Sequence, residues 1–222
     1  MHQPGERWTY NTGSDVLGVL LARVSGQPLD DLLRERVFGP LGMKDTGFSV
    51  PPEKIDRFTS AYSADPETGA LTLNDAPGDG AWSRPPAFPS AAGGLVSTLD
   101  DYHAFARMLL NRGTHEGTRL LSRPAVALMT SDQLTAEQRA TAGFILGEKR
   151  GWGFGVTVVT EQDEIWSPPG RYGWYGGAEC TWFSDPSEDL ITILLAQNAT
   201  QGETWPGIWA DFWTCAYAAL DD

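Results

Sequence analysis

Tyr172-Gly-Trp-Tyr-Gly-Gly177, then Cys180 to Ser184, then Leu190-Ile-Thr-Ile-Leu-Leu195 form the stretch that decides the fold. Cys180, Trp182 and Ser184 alternate around Thr181 and Phe183, and the run from Leu190 is almost wholly apolar. Alternation marks strands with one covered face, and a short apolar run marks a strand buried on both. Asp185-Pro-Ser-Glu-Asp189 between them has turn composition, so these two strands read as an antiparallel hairpin. Upstream, Phe154, Val156 and Val158 alternate beyond Gly151, which raises the expectation to three or four strands. Downstream, Ile208, Trp209, Phe212, Trp213 and Tyr217 recur at three- and four-residue spacing and predict a helix over 205–220 that packs on the sheet.

The first 150 residues read differently. Val16, Leu17, Leu20, Leu21 and Val24 repeat at helical spacing and Gly26 follows, so 14–25 is an amphipathic helix with a left-handed stop. A second helix starts at Pro28, turns Leu29, Leu32, Leu33, Val37 and Phe38 inward, and is stopped by Gly39-Pro-Leu-Gly42. From about 48 to 89 prolines and glycines break every period around aromatic anchors at Phe58, Tyr62, Trp82 and Phe88, a loop long enough to border a functional cleft. Ser97 or Thr98 caps a helix that carries Asp100 and Asp101 in its first turn and ends at Gly113. Ser122-Arg-Pro124 opens a short helix through Met129, and Thr135-Ala-Glu-Gln138 has the form of a capping box. Helices first and a strand meander capped by a helix afterwards is an α+β layout. It divides into a helical part with cleft-bordering loops over 1–150, and antiparallel strands with a C-terminal helix over 151–222.

Sixteen basic against 29 acidic residues leave a net charge of −13, unfavourable for nucleic acid and for anionic membrane surfaces. No apolar run approaches a membrane span, and the N-terminal residues lack an apolar signal core, which leaves the compartment open between cytoplasmic and secreted. Cys180 and Cys215 read as a buried pair of free thiols, and two cysteines with three histidines make a metal site or a cofactor ligand set unexpected. His2 is terminal, His103 lies on a helix flank and His115 in a loop, so no histidine triad is expected; a Gly-x-Ser-x-Gly elbow is also absent. Asn198-Ala-Thr200 matches a glycosylation sequon, a weak pattern by itself.

About 160 residues before Trp174 stands a second aromatic island, Trp8-Thr-Tyr-Asn-Thr-Gly13. Taken in order with Val24-Ser-Gly-Gln-Pro28, Phe38-Gly-Pro-Leu-Gly-Met43 and Tyr172 to Gly177, it resembles the serine β-lactamase and penicillin-recognising hydrolase superfamily, in particular its class C-like carboxylesterase branch. The resemblance implies the β-lactamase/transpeptidase-like α+β fold and places Tyr10 as the general base of a Tyr-x-Asn motif, with Thr12 where the asparagine would stand. A phenol is an ordinary weak base and works with a neighbouring cation, which in the family is the lysine of Ser-x-x-Lys. No serine here precedes a lysine by three, so the resemblance implies that the chain is the C-terminal part of such an enzyme and inactive alone.

Trp174-Tyr175-Gly176 occupies the place of the family's Lys-Thr-Gly. An indole cannot recognise a carboxylate as that lysine does, which favours a small ester or amide substrate and an esterase over a β-lactamase or D-alanyl carboxypeptidase. Arg171 is the nearest substitute cation in sequence for the latter two. The mapping makes Gly177 N–H an oxyanion donor. Trp152, Phe154, Trp166, Trp174 and Trp182 are candidates for an acyl pocket, against the alternative of ordinary core and cross-strand pairs. Two further expectations accompany these. A non-catalytic truncated or pseudoenzyme domain is the competing reading. The chain is also expected to expose an apolar sheet edge and to self-associate, or to need an N-terminal complementing segment, with the Leu190 to Leu195 strand and the Trp209 helix at the contact.

Overall fold

The computed structural model describes residues 2–65, 67–199 and 207–221. Helix α1 (Thr12–Ser25) stops at Gly26, whose φ of 69° is the left-handed conformation that glycine adopts without a Cβ penalty. Helix α2 (Leu29–Leu33) follows Pro28 and runs through a π-helical turn, Arg34–Phe38, into α3 (Gly39–Leu41). The stop expected within Gly39-Pro-Leu-Gly42 falls at its last residue, Gly42, with φ 69°. Pro40 offers no N–H to an α-turn, and the wider bond from Gly39 N–H to Arg34 carbonyl carries the helix past it.

The unperiodic stretch holds more structure than its composition suggests. A 3₁₀ turn at Pro52–Arg57 leads into β1 (Ala61–Ala64), which pairs antiparallel with β2 (Leu71–Asp75). These strands are short, and the one alternation they carry, Leu71 and Leu73 of β2, faces solvent instead of a core.

Helix α4 (Leu99–Leu110) is capped by Thr98, whose hydroxyl accepts from Asp101 N–H at 3.3 Å. A two-residue-stranded hairpin, β3 (Thr114–His115) and β4 (Thr118–Arg119), takes His115 out of the expected loop. Helix α5 (Arg123–Met129) starts from Ser122, and α6 (Ala136–Leu146) from the Thr135/Gln138 capping box, both where the sequence places them.

The main sheet has five antiparallel strands in sequential order: β5 (Arg150–Trp152), β6 (Thr157–Val159), β7 (Tyr172–Tyr175), β8 (Thr181–Asp185) and β9 (Leu190–Leu194). Phe154 is not part of a strand. Gly153 and Gly155 (φ 85°) turn the chain there, and Phe154 points to solvent. Beyond β9, β10 (Asn198–Ala199) pairs parallel with β1, setting Tyr62 opposite Asn198. Helix α7 (Gly207–Ala218) closes the described fold; residues 205 and 206 of the expected helix and Thr200 of the sequon lie outside it. None of the described helices is long and apolar enough to cross a membrane.

Both faces of the sheet are covered. Phe38, Leu41 and Met43 join Met108 and Leu109 of α4 against Val158, Tyr172 and Trp182. On the opposite face Trp209 and Trp213 of α7 meet Trp166 and Phe183. Arg171 is buried in this second layer, with its guanidinium 4.0 Å from the Phe183 ring, 4.9 Å from Trp213 and 5.5 Å from Trp166. Burial pushes it down to about 10, because the charge has lost water and lies near Arg150, and the support of Tyr217 and Asp185 does not make up the loss.

Three expectations need correction. Trp209 and Trp213 are 2% and 0% exposed, so the α7 face expected at a contact is already used internally. The two thiols are free but not a buried pair: Cys180 is half-buried and Cys215 exposed. The apolar stripe of α1 faces solvent, with Val16 65%, Leu20 55% and Val24 79% exposed. This helix meets the chain through its glycine side, where a Cβ on Gly18 would lie 2.6 Å from Ala91 Cβ, and through Ser90 Oγ donating to Asp15 at 2.6 Å.

Candidate active site

Tyr10 and Trp174 meet. The Trp174 indole N–H donates to the Tyr10 hydroxyl oxygen at 2.7 Å, across 164 residues of chain. An indole N–H is only a donor, so the phenol oxygen accepts, and its own proton is directed to some other partner. Around this bond the rings interlock. Trp152 stands edge-on to Trp174 at 4.6 Å and to Tyr10 at 6.0 Å, and Tyr175 stacks on Trp174 at 4.2 Å with 21° between planes. Trp8 closes the cluster, 5.2 Å from Trp152 and 6.0 Å from Tyr10. Such pairs fix ring orientation as well as burying area.

Local backbone explains why Tyr10 sits there. Asn11 has φ 78° and ψ −61°, and Thr12 N–H bonds back to Tyr10 carbonyl at 3.1 Å. This is a γ-turn of the rare positive-φ kind, strained for any residue with a Cβ and easiest for asparagine among them. It reverses the chain between the tyrosine and α1, so that Tyr10 faces the sheet while Thr12 begins the helix. Strain of this kind persists only where the surroundings over-determine it.

Strand β7 supplies the facing wall. Its backbone lies so close to β8 that a Cβ at Gly173 would come within 2.0 Å of Trp182 carbonyl oxygen. Pairing of Trp174 with Trp182 and of Tyr175 with Thr181 holds the register up to the turn. There Gly176 N–H donates to Cys180 carbonyl at 2.8 Å and Gly176 carbonyl accepts from Glu179 N–H at 3.1 Å. Both polar groups of Gly176 are thus used inside the turn. Glu179, at φ 58°, is held from outside by Asn198 Nδ2 on its carboxylate at 3.0 Å and by Trp209 Nε1 on its carbonyl at 2.8 Å. Burial pushes the Cys180 thiol up, which keeps it an inert neighbour. Burial also raises Tyr175, against the pull of Arg150.

The site residues named from sequence are therefore brought together unevenly. Tyr10, Trp174 and Tyr175 form one cluster; Gly176 and Gly177 lie at its rim in the β7–β8 turn. The exposed Thr12 side chain makes no hydrogen bond among the described residues. Of the candidate pocket aromatics, Trp152 and Trp174 are in the cluster, while Trp182 belongs to the α4 face, Trp166 to the α7 face and Phe154 to solvent. Arg171, beneath α7, is not available as a cation beside Trp174. Sequence reasoning missed Trp8, although its two-residue offset from Tyr10 puts both on one side of an extended segment. It also missed the turn at Asn11. Among the described residues no group of carboxylates, thiols and imidazoles could hold a metal ion.

The fold sets a helical layer against an antiparallel sheet, with Tyr10 at a helix start bonded to strand β7. Residues 1–209 match the family described as Beta-lactamase, and the chain belongs to that family. Protein Rv1367c of Mycobacterium tuberculosis is 41% identical over 207 residues, which cover 89% of this chain and 50% of that protein. Esterase EstB of Burkholderia gladioli is 30% identical over 225 residues, covering 91% and 53% respectively. Simvastatin synthase (LovD) of Aspergillus terreus superposes with a TM-score of 0.79 at 23% identity over 98% of this chain and 55% of that one, a likeness of fold. The chain spans about half the length of the curated relatives it matches.

Proposed function

We propose that this chain supplies the tyrosine and the strand wall of a serine hydrolase that cleaves small esters or amides through an acyl-enzyme. The observation that carries this reading is the 2.7 Å bond from Trp174 Nε1 to Tyr10 oxygen. With one lone pair of the phenol taken by the indole, Tyr10 exchanges its proton along the remaining direction, toward an attacking hydroxyl. Tyr10 takes the hydroxyl proton as the acyl–oxygen bond forms and passes it to the leaving alkoxide or amine. Gly177 N–H, next to a glycine whose own N–H is committed, is the strand's donor to the developing oxyanion. An aromatic wall in place of a lysine favours esters over carboxylate-bearing lactams or D-alanyl peptides, and Esterase EstB is a relative with an esterase's name. In this reading the serine comes from a Ser-x-x-Lys segment outside these 222 residues.

The test uses a protein that carries this chain together with such a segment. Tyr10→Phe is expected to lower kcat by about 10²-fold with KM nearly unchanged, because loss of a general base acts on the transition state. Wild-type turnover in that variant would reduce Tyr10 to packing. The 222-residue chain alone is expected to show no burst with short p-nitrophenyl esters; a burst from mass-verified protein would refute the assignment of roles. The absence of any Ser-x-x-Lys here favours one other reading, a non-catalytic domain that keeps the wall for binding. Failure of an intact Ser-x-x-Lys parent to form any acyl-enzyme would support it.

A further inference from the structure

A cavity of about 470 Å³ shares no residue with the Tyr10–Trp174 cluster. It lies between the π-helical turn before α3, the loop after Gly42 and the 3₁₀ turn at Pro52–Arg57. Its floor is apolar: Phe38, Met43 and Phe48 are all buried, and Phe58 and Val96 line it as well. Its charged lining is Arg34, Lys44, Lys54 and Arg57 against Asp30 and Asp45. In a chain of net charge −13 whose only lysines are 44, 54 and 149, this local excess of cations runs against the composition.

The pairing shows which charges are available. Arg34 is engaged by Asp30 at 2.6 Å and Asp31 at 2.7 Å. Asp45 accepts from Lys54 Nζ at 2.6 Å and from Arg57 Nη1 at 2.8 Å, so one carboxylate faces two cations. Those two cations hold the Asp45 carboxyl below its usual range. Lys44 makes no ion pair among the described residues, and Arg57 is 61% exposed with only Nη1 committed.

The walls are set in advance of any ligand. The buried carboxylate of Asp101 accepts from Asp45 N–H at 2.7 Å and from Thr46 hydroxyl at 2.9 Å, and Gly47 exchanges two backbone bonds with Val96 at 3.1 and 2.9 Å. A loop tied at three successive residues loses little further freedom when something binds, which lowers the cost of binding.

We infer that this cavity is a binding site for a small amphipathic carboxylate, its apolar tail against Phe38, Phe48 and Phe58 and its carboxylate at Arg57 and Lys44. Arginine's spare fork atoms suit a planar carboxylate, and an aromatic floor suits a hydrocarbon tail. Neither half alone is enough: the cations are exposed and screened, and the floor is open at its mouth. The inference does not depend on the role of Tyr10.

Sodium octanoate is the probe, titrated into the full chain labelled with ¹⁵N and followed by amide and indole NMR shifts. At the efficiency usual for small ligands, ten non-hydrogen atoms correspond to a dissociation constant of about a millimolar. Saturable shifts are expected at Gly47, Phe48, Val50 and Ser97, with the Trp174 indole unmoved. Arg57→Gln and Lys44→Gln, both on exposed side chains, are each expected to weaken octanoate by about five- to tenfold without altering the spectrum elsewhere. Octanol and acetate are expected to bind markedly less well, and raising NaCl to about 0.5 M should weaken octanoate but not octanol. The inference falls if octanoate gives no saturable shift to about 20 mM, if the shifts centre on Trp174, or if octanol binds equally and neither variant changes anything.

Discussion

Helix α1 and the β7–β9 meander are about equally apolar in sequence, yet they end in opposite circumstances. The meander has Phe38, Met43 and α4 on one face and α7 on the other, and Trp182, Phe183 and Trp213 are 4%, 2% and 0% exposed. Helix α1 presents Val16, Leu17, Leu20, Leu21 and Val24 outward, each at least 40% exposed. Periodicity states which residues share a face; it does not state whether anything covers that face. For the meander the covering elements, α4 and α7, are in the chain. For α1 the described chain offers Leu29 of α2 and the Ser90–Ala92 segment, and these meet the Gly18 side of the helix rather than its apolar stripe.

The contrast is sharpest in stability. Trp213→Ala should destabilise by about 3–5 kcal/mol in urea melts, since it empties a site between Trp166, Phe183 and the Arg171 guanidinium. A loss below about 1 kcal/mol would show that the α7 layer is only loosely docked. Gly173→Ala should cost about 1–3 kcal/mol or more, because its Cβ meets the backbone of Trp182 and Phe183 rather than a yielding side chain. If the melt is unchanged, β7 and β8 are further apart than described.

The sheet should also respond to alkali. Burial pushes Tyr102 and Tyr172 up to about 12, and also raises Tyr175 and Tyr217. A folded state that keeps phenol protons which the unfolded chain releases near 10 has that stability in full below about pH 10 and loses it as pH climbs toward 12. Arg171, depressed to about 10, and Arg150, also lowered by burial, act in the opposite sense over the same window, but they are two groups against four tyrosines. Unfolding should therefore set in between about pH 10 and 12, with late phenolate absorbance. Full stability at pH 12 would contradict the burial of these rings.

The smallest effect belongs to α1. Leu17→Gln and Leu20→Gln should each change stability by no more than about 0.5 kcal/mol, as exposed substitutions do. The same changes should shift sedimentation toward monomer if the bare stripe drives association of the chain. Concentration-dependent association that survives both would move the contact to the edge of β9, which pairs with no further strand among the described residues.

Most of the fold was legible. The capping residues Thr98, Ser122 and Thr135, the left-handed Gly26, the Asp185 to Asp189 turn and the C-terminal helix all announce themselves through short-range chemistry, which is complete within four or five residues. What escaped depends on partners distant in sequence. β1 exists because Asn198 and Ala199 pair beside it, and β2 displays only two alternating leucines, too short a period to stand out among the surrounding prolines and glycines. Half of the candidate site could be read, as Tyr10 and Trp174 are each conspicuous; their bond could not, because it requires the Asn11 turn, which a Tyr-Asn-Thr string does not advertise.

The Tyr10–Trp174 hydrogen bond has a temporal meaning too. It joins segments 164 residues apart, whereas β8 and β9 meet across a four-residue turn. Loop closure grows with the logarithm of length, so the distant contact starts with a handicap of about 2–3 kcal/mol and is cheap only after the sheet has shortened the path. The meander and α7 should thus be ordered before Tyr10 arrives, and a break in the chain near α1 should leave the sheet folded and the aromatic cluster unmade. The indole of Trp174, late to find its acceptor, would serve as a clock for the final step of assembly.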